Sequence, residues 1–193
     1  MGKMNLPNKL TISRIILTFI FMYFLFAKWA GAKACAFLTF LLASFTDYYD
    51  GYLARTKNQI TDFGKFMDPI ADKILVLAAF LSFVQLSLIP AWTVVVIIAR
   101  EVTVTGMRIF ALGRGMVLQA EEAGKHKTVS QMATIFLILI FLILKGAAQY
   151  LSFWNGTTER LFLDIIFGLM LITVVLTLTS GISFFWRNRK MFK

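Results

Sequence analysis

Residues 34–55 read ACAFLTFLLASFTDYYDGYLAR, an apolar run that turns polar with no turn signal between its halves. The apolar part, Ala34 to Phe45, is 12 residues long. As a helix it covers about 18 Å, little more than half of a bilayer core of about 30 Å. Residues 64–89, GKFMDPIADKILVLAAFLSFVQLSLI, mirror it: polar from Gly64 to Lys73, then apolar from Ile74 to Ile89. A third segment is apolar from Ala91 to Ala99 and then meets Arg100, Glu101 and Arg108 at near-helical spacing. Ionisable groups on membrane helices face a protein interior or a water-filled space, because lipid does not solvate them. Three such polar halves are expected to pack together and enclose a hydrophilic cavity open to the cytoplasm.

The rest of the chain is more uniformly apolar. Of 193 residues 59% are hydrophobic and only 16% charged, with a mean hydropathy of +0.75. A soluble domain is about 45–50% apolar and about 25% charged. Segments 128–144 and 161–185 are nearly pure apolar and are expected to face lipid along most of their length. Breaks near 28–33, 56–63, 86–90, 114–127 and 145–160 then predict an all-α integral membrane protein with six transmembrane helices in a single domain, 1–193. Residues 5–13, NLPNKLTIS, read as a short N-terminal interfacial segment. The first apolar run begins at Arg14, and hydrophobic segments continue to the end of the chain, so it reads as a span rather than a cleaved leader. Cys35 is the single cysteine, which excludes an intrachain disulfide.

A net charge of +10 would suit nucleic acid, but the placement of the cations excludes that partner. They bracket the apolar runs instead of forming a block. With the breaks above, 16 of the 20 Lys and Arg residues fall on one side, and only Lys28, Lys33, Lys145 and Arg160 on the other. The positive-inside rule then places both termini in the cytoplasm, where the basic side also attracts anionic membrane lipids.

Five of the ten acidic residues lie between positions 47 and 72. Asp47 and Asp50 are three apart and Asp68 and Asp72 four apart, so each pair shares a helix face. Four carboxylates brought together in a hairpin cannot all stay ionised without compensation, and Lys65 and Lys73 are too few. Two divalent cations would supply it, and an all-oxygen ligand set selects hard ions such as Mg²⁺ or Mn²⁺. Such a site suits phosphoryl displacement. Gly51 and Gly64 flank the pairs, where a small residue allows close ligand approach. Arg55 has the planar fork that grips phosphate.

The pattern Asp47-x-x-Asp50-Gly51-x-x-Ala54-Arg55, then eight residues, then Gly64-x-x-x-Asp68-x-x-x-Asp72 resembles the signature of the CDP-alcohol phosphotransferases at every position. The resemblance implies a chain with six membrane helices, commonly a homodimer. It implies transfer of a phosphatidyl or related group from a CDP-linked donor to an alcohol, with release of CMP. It makes Asp47, Asp50, Asp68 and Asp72 the ligands of two metals and Asp72 the general base. Gly51, Ala54, Arg55 and Gly64, with Asn8 and Thr11 of NKLTISR, would line the cytidine-diphosphate site.

Arg100-Glu101, Arg108 and Gly124-Lys125-His126-Lys127-Thr128 resemble the branch of the family that makes phosphatidylglycerol phosphate in the bacterial plasma membrane. The implied substrates are CDP-diacylglycerol and glycerol 3-phosphate. Arg100, Arg108, Lys125 and Lys127 would bind the acceptor's phosphate, with Arg100 inside the cavity, whereas a neutral alcohol would not need them. Phosphatidylinositol-phosphate synthesis is the alternative within the family, since its acceptor is also phosphorylated. His126 reads as an interfacial residue, because the implied metals prefer oxygen. No Ser, Cys or His lies within 47–72, so direct attack by the acceptor hydroxyl is expected. An ion-coupled transporter is the reading from another class, but no paired broken helices in two repeats are visible.

Overall fold

The computed structural model describes residues 6–57, 62–113, 123–152 and 154–189; the side chains at 6–11, 47–57, 62–72, 112 and 123–124 lie outside the description. Among the described residues six α-helices follow one another: α1 Leu6–Phe26, α2 Ala32–Lys57, α3 Asp62–Gln85, α4 Ala91–Gly113, α5 Ala123–Gly146 and α6 Gly156–Arg187, with a 3₁₀ turn at Ala148–Tyr150 between the last two. No strand occurs among the described residues. The all-α expectation holds. Both α2 and α3 run unbroken through the change from apolar to polar sequence.

Among the described residues two stretches, Lys125–Gly146 and Gly156–Arg187, are long and apolar enough to cross a membrane, and Ile12–Phe26, Ala32–Thr46 and Lys73–Gln85 are shorter apolar helical stretches.

Several boundaries differ from the sequence reading. Residues 6–13 are continuous with the following apolar run, forming the first turns of α1. Pro7 falls in the first turn, where a missing N–H costs nothing and the fixed φ favours helix. α5 starts at Ala123 and so takes in Lys125, His126 and Lys127. α6 starts at Gly156, capped by Asn155, whose Oδ1 accepts from Thr158 N at 2.8 Å. That bond satisfies one of the orphan donors of the first turn.

The chain forms two compact units. The first comprises 1–82 and 139–151, the second 83–138 and 152–193. In the first unit α1 packs on α2. Arg14, Thr18, Phe21 and Leu25 of α1 are buried, as are Ala32, Ala36, Phe40 and Ala43 of α2. Both sets recur every three or four residues, which is one helix face, and the alanines permit close approach of the backbones. Phe21 meets Phe40 with ring centroids 5.4 Å apart. Gly31, at φ 89°, makes the tight turn between the helices. Lys33 then donates to the carbonyls of Leu25 and Ala27 and so caps the end of α1.

In the second unit α4 packs on α6. The buried face of α4 is Thr93, Val94, Ile97, Glu101, Val104 and Ala111; that of α6 is Ile166, Met170, Thr173, Val174, Thr177, Ser180, Gly181 and Phe184. The second unit also holds residues 123–138 of α5, with Lys127, Ser130, Gln131, Thr134, Ile135 and Ile138 buried. Segment 128–144 therefore does not face outward along most of its length as expected. Its Ser, Gln and Thr stripe and much of its apolar surface turn inward, whereas α6 keeps Leu161, Ile165, Ile172, Val175, Leu178 and Ile182 exposed.

Candidate active site

The acidic positions are carried by the polar halves of α2 and α3, both in the first unit. Positions 47 and 50 lie on one side of α2, and positions 68 and 72 on one side of α3, because three and four residues approximate one helical turn. Their side chains lie outside the described residues, as do those of Gly51, Ala54, Arg55 and Gly64 and of Asn8 and Thr11 at the start of α1. Among the described residues no group of three or more His, Cys, Asp and Glu gathers. The donor set is nonetheless chemically uniform: four carboxylates on two unbroken helices fit a hard divalent cation rather than a soft one. Cys35 lies on α2 twelve residues before Asp47, about 18 Å away along the axis, and plays no part in that set. Pro69 follows Asp68 inside α3. Proline has no N–H to offer, so the carbonyl four residues back, at Lys65, is relieved of its helical partner.

The second unit holds a buried polar cluster. Arg100, the first charged residue after the apolar half of α4, has a side chain only 12% exposed, and those of Glu101 and Lys127 are 3% exposed each. Lys127 Nζ donates to Glu101 Oε1. Arg100 Nη1 lies 3.4 Å from the same oxygen, and Arg100 Nη2 donates to Ser180 Oγ on α6 at 2.7 Å. Gly181 makes room for this: a Cβ there would stand 3.2 Å from Arg100 Cγ. One carboxylate oxygen thus gathers two cations from two helices, and a third helix seats one of them. Taking these charges from water is costly, and only mutual pairing makes it tolerable.

Deeper along the same helices the cluster continues as hydroxyls and an amide. Thr134 and Thr173 share a hydrogen bond of 3.1 Å between α5 and α6. Gln131 Nε2 and Thr177 Oγ1 are buried with no hydrogen-bond partner among the described residues.

The four sequence-predicted acceptor residues thus divide. Arg100 and Lys127 come together around Glu101. Arg108 and Lys125 are exposed, and Arg108 lies over the Phe184 ring at 5.7 Å. His126 is exposed as well. The sequence reading missed Ser180 and Gly181 and assigned Glu101 no role.

A family model described as CDP-alcohol phosphatidyltransferase matches residues 4–179, which take in the acidic helices and the buried cations alike. The chain belongs to this family. Divalent metal ions are in general use among CDP-alcohol phosphatidyltransferases, and with its apolar helices this member is a membrane protein. It is 38% identical over 205 residues to the CDP-diacylglycerol–glycerol-3-phosphate 3-phosphatidyltransferase of Bacillus subtilis, covering 98% of this chain and 97% of that one. The protein of that name from Rickettsia bellii is 33% identical over 189 residues, with 97% of both chains covered. A probable phosphatidylglycerophosphate synthase of Mycobacterium tuberculosis is 38% identical over 139 residues, 70% of this chain and 66% of that one.

Proposed function

We propose that this CDP-alcohol phosphatidyltransferase moves the phosphatidyl group of CDP-diacylglycerol to glycerol 3-phosphate, giving phosphatidylglycerol phosphate and CMP. The observation that carries the acceptor is the pair of cations gathered on adjoining helices, Lys127 buried and the Arg100 side chain 12% exposed. A family member acting on a neutral alcohol would have no use for so costly an arrangement. The names of the similar proteins support the same acceptor.

Asp47, Asp50, Asp68 and Asp72 hold two divalent ions, Mg²⁺ or Mn²⁺. Ions held by these four carboxylates would supply charge neutralisation at the diphosphate and at the attacking and leaving oxygens. Asp72 takes the proton of the acceptor hydroxyl as that oxygen attacks the phosphorus bearing diacylglycerol, and the bond to the CMP oxygen breaks. No covalent enzyme intermediate is needed. Ordering the acceptor beside Asp72 supplies more of the rate than proton transfer does. Asn8, Thr11, Gly51, Ala54, Arg55 and Gly64 line the cytidine-diphosphate site. Arg100 and Lys127 receive the acceptor's phosphate, and the exposed Arg108 and Lys125 draw it in from solution.

The six helices span a bacterial plasma membrane with both termini and the active site cytoplasmic, and the enzyme works as a homodimer. The test is CMP release by purified protein given CDP-diacylglycerol, Mg²⁺ and a panel of labelled acceptors. Glycerol 3-phosphate should be the preferred acceptor over inositol phosphate, inositol, choline and ethanolamine. Faster release with any of these would overturn the assignment.

A further inference from the structure

Glu101 sits at the centre of the buried cluster yet has no role in the reaction just described. Its side chain is 3% exposed, and its Oε1 accepts from Lys127 of α5 and lies 3.4 Å from Arg100 Nη1 of α4. Lysine and arginine side chains are long and flexible, and each loses substantial rotamer entropy when fixed. A single carboxylate oxygen bonded to both cations sets the distance between them before any ligand arrives. The Arg100 guanidinium is anchored at its other end by Ser180 Oγ at 2.7 Å, in a seat that Gly181 leaves open. The three side chains carry two positive charges and one negative.

We propose that Glu101 is a positioning residue for the acceptor: it holds Arg100 and Lys127 at the spacing that receives the phosphate of the incoming alcohol. This rests on the reading that those two cations bind that phosphate. The carboxylate does not touch the acceptor; it acts through the two cations. Ser180 performs the lesser part of the same task, fixing the far edge of the guanidinium.

Glu101→Asp is the decisive variant, because it keeps the buried charge balance and draws the carboxylate back by one carbon–carbon bond, about 1.5 Å. A displacement of that size at a preorganised site costs tenfold or more. The KM for glycerol 3-phosphate should rise about tenfold, with the KM for CDP-diacylglycerol and the melting temperature unchanged. Glu101→Gln, which removes the charge, should raise the acceptor KM further. Arg100→Ala and Lys127→Ala, measured alongside, separate the two claims. If both raise the acceptor KM while folded Glu101→Asp does not, the positioning role is overturned and the acceptor site stands. If neither raises it, the acceptor site itself is wrong. A Glu101→Asp protein whose two KM values rise together with a fall in melting temperature would mark Glu101 as merely structural and also overturn the proposal.

Discussion

A carboxylate on a membrane helix persists only where something cancels its charge. That makes Asp68 and its three companions visible in the bare sequence, and it makes them sensitive to neutral replacement. Asp68→Asn keeps the shape and removes one anionic ligand. With saturating Mg²⁺ its CMP release is expected to fall at least a hundredfold, on the order of 10²-fold for a lost electrostatic contact at a transition state. Turnover near that of the parent would remove Asp68 from the metal site. Arg100 was legible for the same reason, being a cation after nine apolar residues. Ser180, Thr173 and Thr177 were not legible. A hydroxyl on an apolar helix can satisfy itself on its own backbone, as Thr173 does on the carbonyl of Leu169 and the exposed Thr179 on that of Val175. Buried and exposed hydroxyls therefore look alike in sequence, and only the packing of α4 and α5 against α6 distinguishes them.

Helix ends are where the sequence reading and the structure part. Charge and glycine in Gly124-Lys125-His126-Lys127 read as a loop, but α5 includes them because Lys127 finds its partner on another helix. The start of α6 was recoverable: Asn155, just before Gly156, is a favoured N-cap residue. The end of α3 is a Schellman motif. Ser87 N donates to the carbonyl of Val84 at 2.9 Å and Leu88 N to that of Phe83 at 3.0 Å. Ser87 occupies the position usually held by glycine, at φ 57°. A non-glycine residue in that conformation costs about 1 kcal/mol. Ser87→Gly is accordingly expected to stabilise the protein by up to about 1 kcal/mol. A thermal melt in detergent checks it, and an unchanged or lower midpoint would mean that the serine gains something else there.

Across the whole molecule, the lopsided distribution of Lys and Arg predicts which ends of the helices face the cytoplasm. Cys35 is the single cysteine, so replacing it with Ala yields a background for single reporters. A cysteine at Lys28 should react with an impermeant maleimide added outside intact cells, and one at Asn188 only after the membrane is opened. The reverse pattern would invert the orientation. The all-helical class was readable from the sequence because it follows from apolar length and the cost of buried charge. The grouping into two units was not, because it depends on side-chain fit between distant segments.

The unequal lengths of the helices bear on the bilayer itself. The apolar stretch of α6, 25 residues from Leu161 to Phe185, is about 38 Å long at 1.5 Å per residue, against a hydrocarbon thickness of about 30 Å. The apolar part of α2, 12 residues from Ala34 to Phe45, reaches only about 18 Å. No single thickness matches both. Where both cross the bilayer, the longer helix is expected to lean or project, and lipid beside the shorter one to thin or give way to protein, each at a fraction of a kcal/mol per ångström. Longer acyl chains ease the strain at α6 and worsen it at α2, and shorter chains do the opposite. An enzyme that makes a precursor of the surrounding lipid thereby couples its own mechanical fit to the chain length of its product.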